Sequence, residues 1–109
     1  MRKVSEQSIM AFLNGRNGKF GGVSNYNGRQ NTTVKDGKFY LFGNCIAKFE
    51  NNELYVRLVC PSATTFERLN ALGYLGGYKL GVYQHKFEPY LNGELVTDYD
   101  KWYKVSKEA

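Results

Sequence analysis

Glu50-Asn51-Asn52-Glu53 is the stretch that most restricts what this chain can fold into. Asparagine tolerates the positive φ that a two-residue hairpin loop requires, so the two central residues read as a tight turn. A turn of that length fixes the pairing of everything on either side. Phe49 then faces Leu54, Ala47 faces Val56 and Cys45 faces Leu58. Side chains alternate along a strand, so Cys45, Ala47, Phe49, Leu54, Val56, Leu58 and Cys60 share one side. All are apolar or thiols. The other side carries Asn44, Lys48, Glu50, Glu53, Tyr55 and Arg57, interrupted by Ile46 and Val59. One dry face and one wet face is the signature of an antiparallel sheet.

The flanks extend that sheet. Asp36-Gly37 is a second type I′ signal, joining a strand over 31–35 to one over 38–42. Gly43-Asn44 is expected to turn the chain into the central hairpin. A bulge there would leave either Phe39 and Leu41 or Tyr40 and Phe42 as the inward pair. Pro61 ends the central hairpin, because it cannot donate to a ladder. Thr64 with Glu67 has capping-box spacing and predicts a helix over about 65–72. Gly73 would stop it. A first helix is expected over about 5–14, with Ser5 as N-cap, Ile9, Phe12 and Leu13 inward, and Gly15 as the stop. Beyond the second helix, strands are expected over 78–83 and 86–91 around Gln84-His85. A turn follows at Asn92-Gly93 and a short strand over 102–105, and the tail from Lys104 is expected to fray. The fold class is therefore α+β: an antiparallel sheet of short hairpin-connected strands with two short helices.

The run Leu41, Phe42, Gly43, Asn44, Ile46, Ala47, followed by Thr64, Thr65, Arg68, Leu69 and Asn70, resembles a group of small proteins from phage and mobile-element genomes. Asn31-Thr32 and Tyr90-Leu91-Asn92-Gly93 share in the resemblance. It covers about half of the chain and brings no catalytic or ligand residues with it. It implies an accessory phage gene, one that could antagonise a host defence.

At 109 residues the chain is expected to form one domain able to bury a core without staples. No apolar run approaches membrane-spanning length, and the N-terminal stretch lacks the apolar core of a signal peptide. The expected location is the cytoplasm of the host cell. Cys45 and Cys60 have neither metal nor redox spacing. The hairpin register makes them diagonal neighbours on the dry face. That admits a disulfide, but two buried thiols is the preferred reading in a reducing compartment.

The formal charge of +5 is uneven. Residues 1–49 hold eight basic residues and two acids, and residues 50–109 hold seven and eight. The positive field belongs to the first half, which points to an anionic partner. Within it, residues 15–31 form a Gly/Asn-rich loop with five glycines, three basic residues and no acid. Glycine permits close backbone approach, Arg and Lys contact phosphate, and aromatics stack on bases. Arg16, Lys19, Phe20, Tyr26 and Arg29 of this loop, with Lys35 beyond it, are the candidate partner- or nucleic-acid-binding residues. The same composition suits a solvated loop. The Thr64-Thr65 helix start offers a second anion site, with a structural cap as the favoured reading.

Catalytic constellations are missing. His85 is the single histidine, and there is no HExxH, paired CxxC or phosphate-loop glycine pattern. A small basic RNase built on His85 is physically conceivable, yet nothing in the sequence gathers an acid, a base and a cation. The expectation is a non-enzymatic protein without metal or cofactor. Its partner would be a host protein or nucleoprotein complex, such as a CRISPR effector, bound by occlusion. Direct sequence-tolerant binding of DNA or RNA and sequestration of a nucleotide signal are the alternatives. No membrane partner is expected, and no oligomeric state is specified.

Overall fold

The computed structural model describes residues 3–21 and 31–108. The chain runs α1 (Lys3–Leu13), β1 (Gly18–Phe20), β2 (Thr32–Lys35), β3 (Lys38–Leu41), β4 (Asn44–Glu50), β5 (Glu53–Val56), α2 (Ala63–Gly76), β6 (Val82–His85), β7 (Glu88–Leu91), β8 (Glu94–Leu95) and β9 (Tyr103–Val105). Six strands form one antiparallel sheet in the order β1-β2-β3-β4-β5-β9, and β6-β7-β8 form a second. The α+β class is as the sequence predicts.

The central hairpin has the predicted register from Glu50 opposite Glu53 through Phe49 opposite Leu54 to Ala47 opposite Val56, but β5 ends at Val56, so Cys45 does not pair with Leu58 and the strand stops before Pro61. Asn51 and Asn52 sit at φ 54° and 64°, and Asp36-Gly37 at 51° and 76°. Both turns are therefore the left-handed pairs that their sequences demand. The inward pair on β3 is Phe39 and Leu41.

Toward β3 the register departs from simple alternation. Phe39 pairs with Ala47 but Tyr40 pairs with Cys45, leaving Ile46 as an extra residue in β4. This bulge sends Ile46 and Ala47 both to the core, and both are buried. It also rotates Cys45 off the dry face, leaving it partly exposed, while Cys60 is exposed. The expectation of two buried thiols is corrected on both counts. The turn into β4 is Phe42-Gly43 rather than Gly43-Asn44, at φ 52° and 82°.

Phe12 of α1 stacks on Phe49 at 4.7 Å and meets Phe39 edge-on at 5.8 Å, joining the helix to the dry face of the sheet. Gly15 ends α1 as predicted. It adopts φ 69°, with Arg16 N–H reaching Ala11 O and Gly15 N–H reaching Phe12 O, a Schellman closure. Helix α2 is longer than predicted. Its N-cap is Ser62, whose Oγ accepts from Thr65 N–H at 3.2 Å, and its C-cap is Gly77 at φ 68°. Gly73 lies inside the helix instead of ending it. A Cβ there would come within 2.7 Å of Leu80 O, so this glycine permits close packing rather than termination.

Asn70 fastens the small sheet to α2. Its amide donates to Val82 O and accepts from Val82 N–H, both at 2.8 Å, as a neighbouring strand would. The tail is likewise tied down rather than frayed. Val105 is buried in β9, Lys79 N–H donates to Ser106 O, and Glu108 N–H donates to Gly77 O.

The β6–β7 turn is Lys86-Phe87, two residues later than expected, at φ 50° and 65°. A bulky side chain in that region costs about 1–2 kcal/mol, and Phe87 is 94% exposed, so it gains little in return. Phe87→Gly is expected to raise the unfolding free energy by about 1 kcal/mol, after allowance for the freer unfolded glycine. A urea midpoint that stays put or falls would show that the turn carries no such strain.

Candidate functional site

Strand β1 arises inside the Gly/Asn-rich loop. Gly18, Lys19 and Phe20 pair with Val34, Thr33 and Thr32, which places the loop's first basic residues on the edge of the large sheet. Asn17 Oδ1 accepts from Asp36 N–H at 3.0 Å and holds this edge against the β2–β3 turn. Arg16, Lys19 and Lys35 are exposed, and Phe20 is half-buried against the core. Arg16 and Phe20 line one open depression with Met10 and Asn14, while Lys19 and Lys35 line a second. Asn17 borders both, so these four candidates lie together. Tyr26 and Arg29 lie outside the described residues.

The face of the large sheet turned away from the core extends this site far beyond the loop. Directly opposed residues share a face, so the ladder registers generate two rows across the strands. In the first, Lys35 faces Lys38, Lys38 faces Lys48, Lys48 faces Tyr55 and Tyr55 faces Lys104. In the second, Lys19 faces Thr33, Thr33 faces Tyr40 and Tyr40 faces Cys45. Arg57 continues it by donating from Nε to Cys45 O at 2.8 Å, and its guanidinium lies 4.4 Å from the centre of the Trp102 ring. Lys48 Nζ approaches the same ring at 4.5 Å.

This face thus presents Lys19, Lys35, Lys38, Lys48, Arg57 and Lys104 against Glu50 and Glu53. Both acids are engaged: Lys48 pairs with Glu50 and Lys104 with Glu53, each at 2.9 Å. Bonds from Lys104 and from the Tyr55 hydroxyl hold the Glu53 carboxyl below its ordinary pKa and lift those of Lys104 and Tyr55. Glu53 therefore stays ionised and spoken for. Among the described residues, Lys19, Lys35 and Lys38 form no ion pair. Of these groups only Lys19 and Lys35 were expected as site residues. The alternation around Asp36-Gly37 would also have placed Lys38 opposite Lys35.

The other candidate chemistries are dispersed. Burial pushes the Cys45 thiol up, and its Sγ donates to Ala47 O. Thr65 at the start of α2 is buried and donates to Cys60 O, so its hydroxyl serves the cap. His85 is exposed in the second sheet, with its ring edge-on to Tyr90. No group of described residues has the makeup of a metal site, and no described helix is long and apolar enough to cross a membrane.

The residues that carried the sequence resemblance turn out to be largely architectural. Arg68 is fully buried beside Glu67, and Asn70 pairs with Val82. Asn92 bonds Gly81 N–H and Lys79 O. No curated protein and no solved structure matches the chain. The family model of the Kyanoviridae Gp96 protein matches residues 1–107, almost the whole length, and the chain belongs to that phage protein family.

Proposed function

We propose that this is a non-enzymatic phage accessory protein that works inside the host cell by binding and occlusion, in the manner of an anti-CRISPR protein. Its target is a host defence or nucleic-acid-handling complex, and the basic sheet face with the adjoining Arg16–Phe20 edge is the docking surface. The observation that carries this reading is the charge layout: cations cover one sheet face, and the few acids among them are already paired. Such a surface speeds encounter with a polyanionic partner and rejects cationic ones. Trp102, half-buried on the same face, can anchor the contact.

Affinity capture of tagged protein from host lysate, with and without nuclease, tests this. A discrete host complex that survives nuclease is expected. It should be lost on Arg16→Ala with Lys19→Ala, while the melting temperature stays unchanged. Capture indifferent to those substitutions would overturn the site. Bulk nucleic acid that disappears with nuclease would overturn the host-complex target while leaving the face a docking surface for polyanions.

A further inference from the structure

We infer that the outer face of the six-stranded sheet is a platform for single-stranded nucleic acid running across the strands, with phosphates along Lys35, Lys38, Lys48 and Lys104 and bases over Tyr40 and the Trp102–Arg57 pair. This rests on the proposed reading of the face as a polyanion-docking surface and names the polyanion.

The two rows make the case. Neighbouring strands lie about 4.8 Å apart, and residues two apart along a strand about 7 Å. The lysine row and the aromatic row are therefore parallel tracks separated by roughly the reach from a phosphate to its own base. Lysine row members face one another directly across the ladder, Lys35 to Lys38 and Lys38 to Lys48. Lys35 and Lys38 have no ion pair among the described residues, so they repel, and an anion laid along the row relieves that repulsion, while Lys48 is already shared with Glu50. Two tracks of different chemistry also separate nucleic acid from a merely acidic protein surface, which has no use for the second. Tyr40 and Trp102 are both partly exposed, and Arg57 and Lys48 lie against the indole. Aromatic rings and guanidinium planes are the groups on which unstacked bases settle. A duplex keeps its bases stacked inward and leaves the aromatic track unused.

Trp102 is the single tryptophan, so the protein carries its own reporter. The test is titration of the intact protein with oligothymidylate, oligothymidylate duplexed with oligoadenylate, heparin and polyglutamate at several salt concentrations. Binding should quench Trp102 emission with oligothymidylate and weaken with salt at a slope of about −3, near −0.7 for each phosphate contact. Lys38→Ala should reduce that slope by about 0.7. Tyr40→Leu, with its circular dichroism unchanged, should cost about tenfold in affinity and leave the slope alone. If heparin or polyglutamate binds as tightly as oligothymidylate and Trp102 emission does not move, the nucleic-acid inference falls while polyanion docking survives. Tighter binding of the duplex also overturns it. Failure of every polyanion to bind at low salt removes both.

Discussion

Glu67→Ala is expected to lower the unfolding free energy by about 3 kcal/mol. The reason lies in its neighbour. Arg68 is only 1% exposed, in the middle of α2. Its Nη1 donates to the Ser5 hydroxyl at 2.6 Å and to the Glu67 carboxylate, and the Ser5 hydroxyl donates to that same carboxylate at 2.6 Å. Two helices are thus joined by a three-group polar cluster against the core, and Glu67, 30% exposed, is its anion. Removing one partner of a buried pair leaves an uncompensated charge and costs about 3–5 kcal/mol. The partial exposure of Glu67 argues for the lower end of that range.

The pair itself contributes much less than its breakage costs. Arg68 Nε is buried with no hydrogen-bond partner among the described residues, so even the intact cluster is incompletely satisfied. The double substitution Glu67→Ala/Arg68→Met should therefore recover most of the stability lost in Glu67→Ala, because methionine fills a similar volume without a charge. Urea unfolding of the wild type, the single and the double variant checks both statements. A double variant less stable than the single one would mean that Arg68 is held by packing and not by its counter-ion.

Arg68 also shows where sequence reading stopped. The second helix was legible from the Thr64–Glu67 spacing, and the central hairpin from Asn51-Asn52. A fully buried arginine was not, because its burial depends on α1 arriving with Ser5, sixty-three residues earlier, at its guanidinium. Ser5 was expected at a helix terminus for the same reason: locally it has the chemistry of a cap, and only the packing of two helices makes it an interior hydroxyl. Gly73 likewise reads as a stop until Leu80 O is known to press against it. The turn residues divide in the same way. Asn-Asn, Asp-Gly and Asn-Gly announce left-handed backbone, whereas Phe42-Gly43 half announces it and Lys86-Phe87 does not. The Lys86-Phe87 turn is fixed by the paired strands around it, against the preference of its own side chains.

The basic face was legible as charge but not as geometry, and the bulge at Ile46 is the reason. Without that extra residue the Leu41–Asn44 turn would set Lys38 opposite Ala47, a core position. With it, Lys38 stands opposite Lys48 on the solvent face, and the row from Lys35 to Lys104 becomes continuous. No residue type in Asn44–Glu50 specifies the bulge. It follows from burying both Ile46 and Ala47.

Lys38→Glu is accordingly expected to change binding and stability in opposite directions. In the wild type Lys38 faces Lys35, which has no ion pair among the described residues, and Lys48, which is already paired with Glu50, so glutamate converts one open repulsion into an attraction. Cross-strand charge pairs are worth about 0.2–1 kcal/mol each, and solvent screening holds exposed ones near the lower end. The fold should therefore gain a few tenths of a kcal/mol, roughly 0.3, at low salt, and the gain should shrink at high salt as screening removes it. Polyanion affinity should fall by about a hundredfold. One phosphate contact is lost, a negative charge faces the ligand, and Lys35 is drawn into a pair with the new carboxylate. Thermal melts and oligothymidylate titrations on one preparation read both quantities. A variant that binds as well as wild type would remove the lysine row from the site. A variant that loses binding by unfolding would show instead that Lys38 is held by the fold. Loss of binding with a higher melting temperature is the result that identifies a residue kept for its partner at a cost to its own sheet.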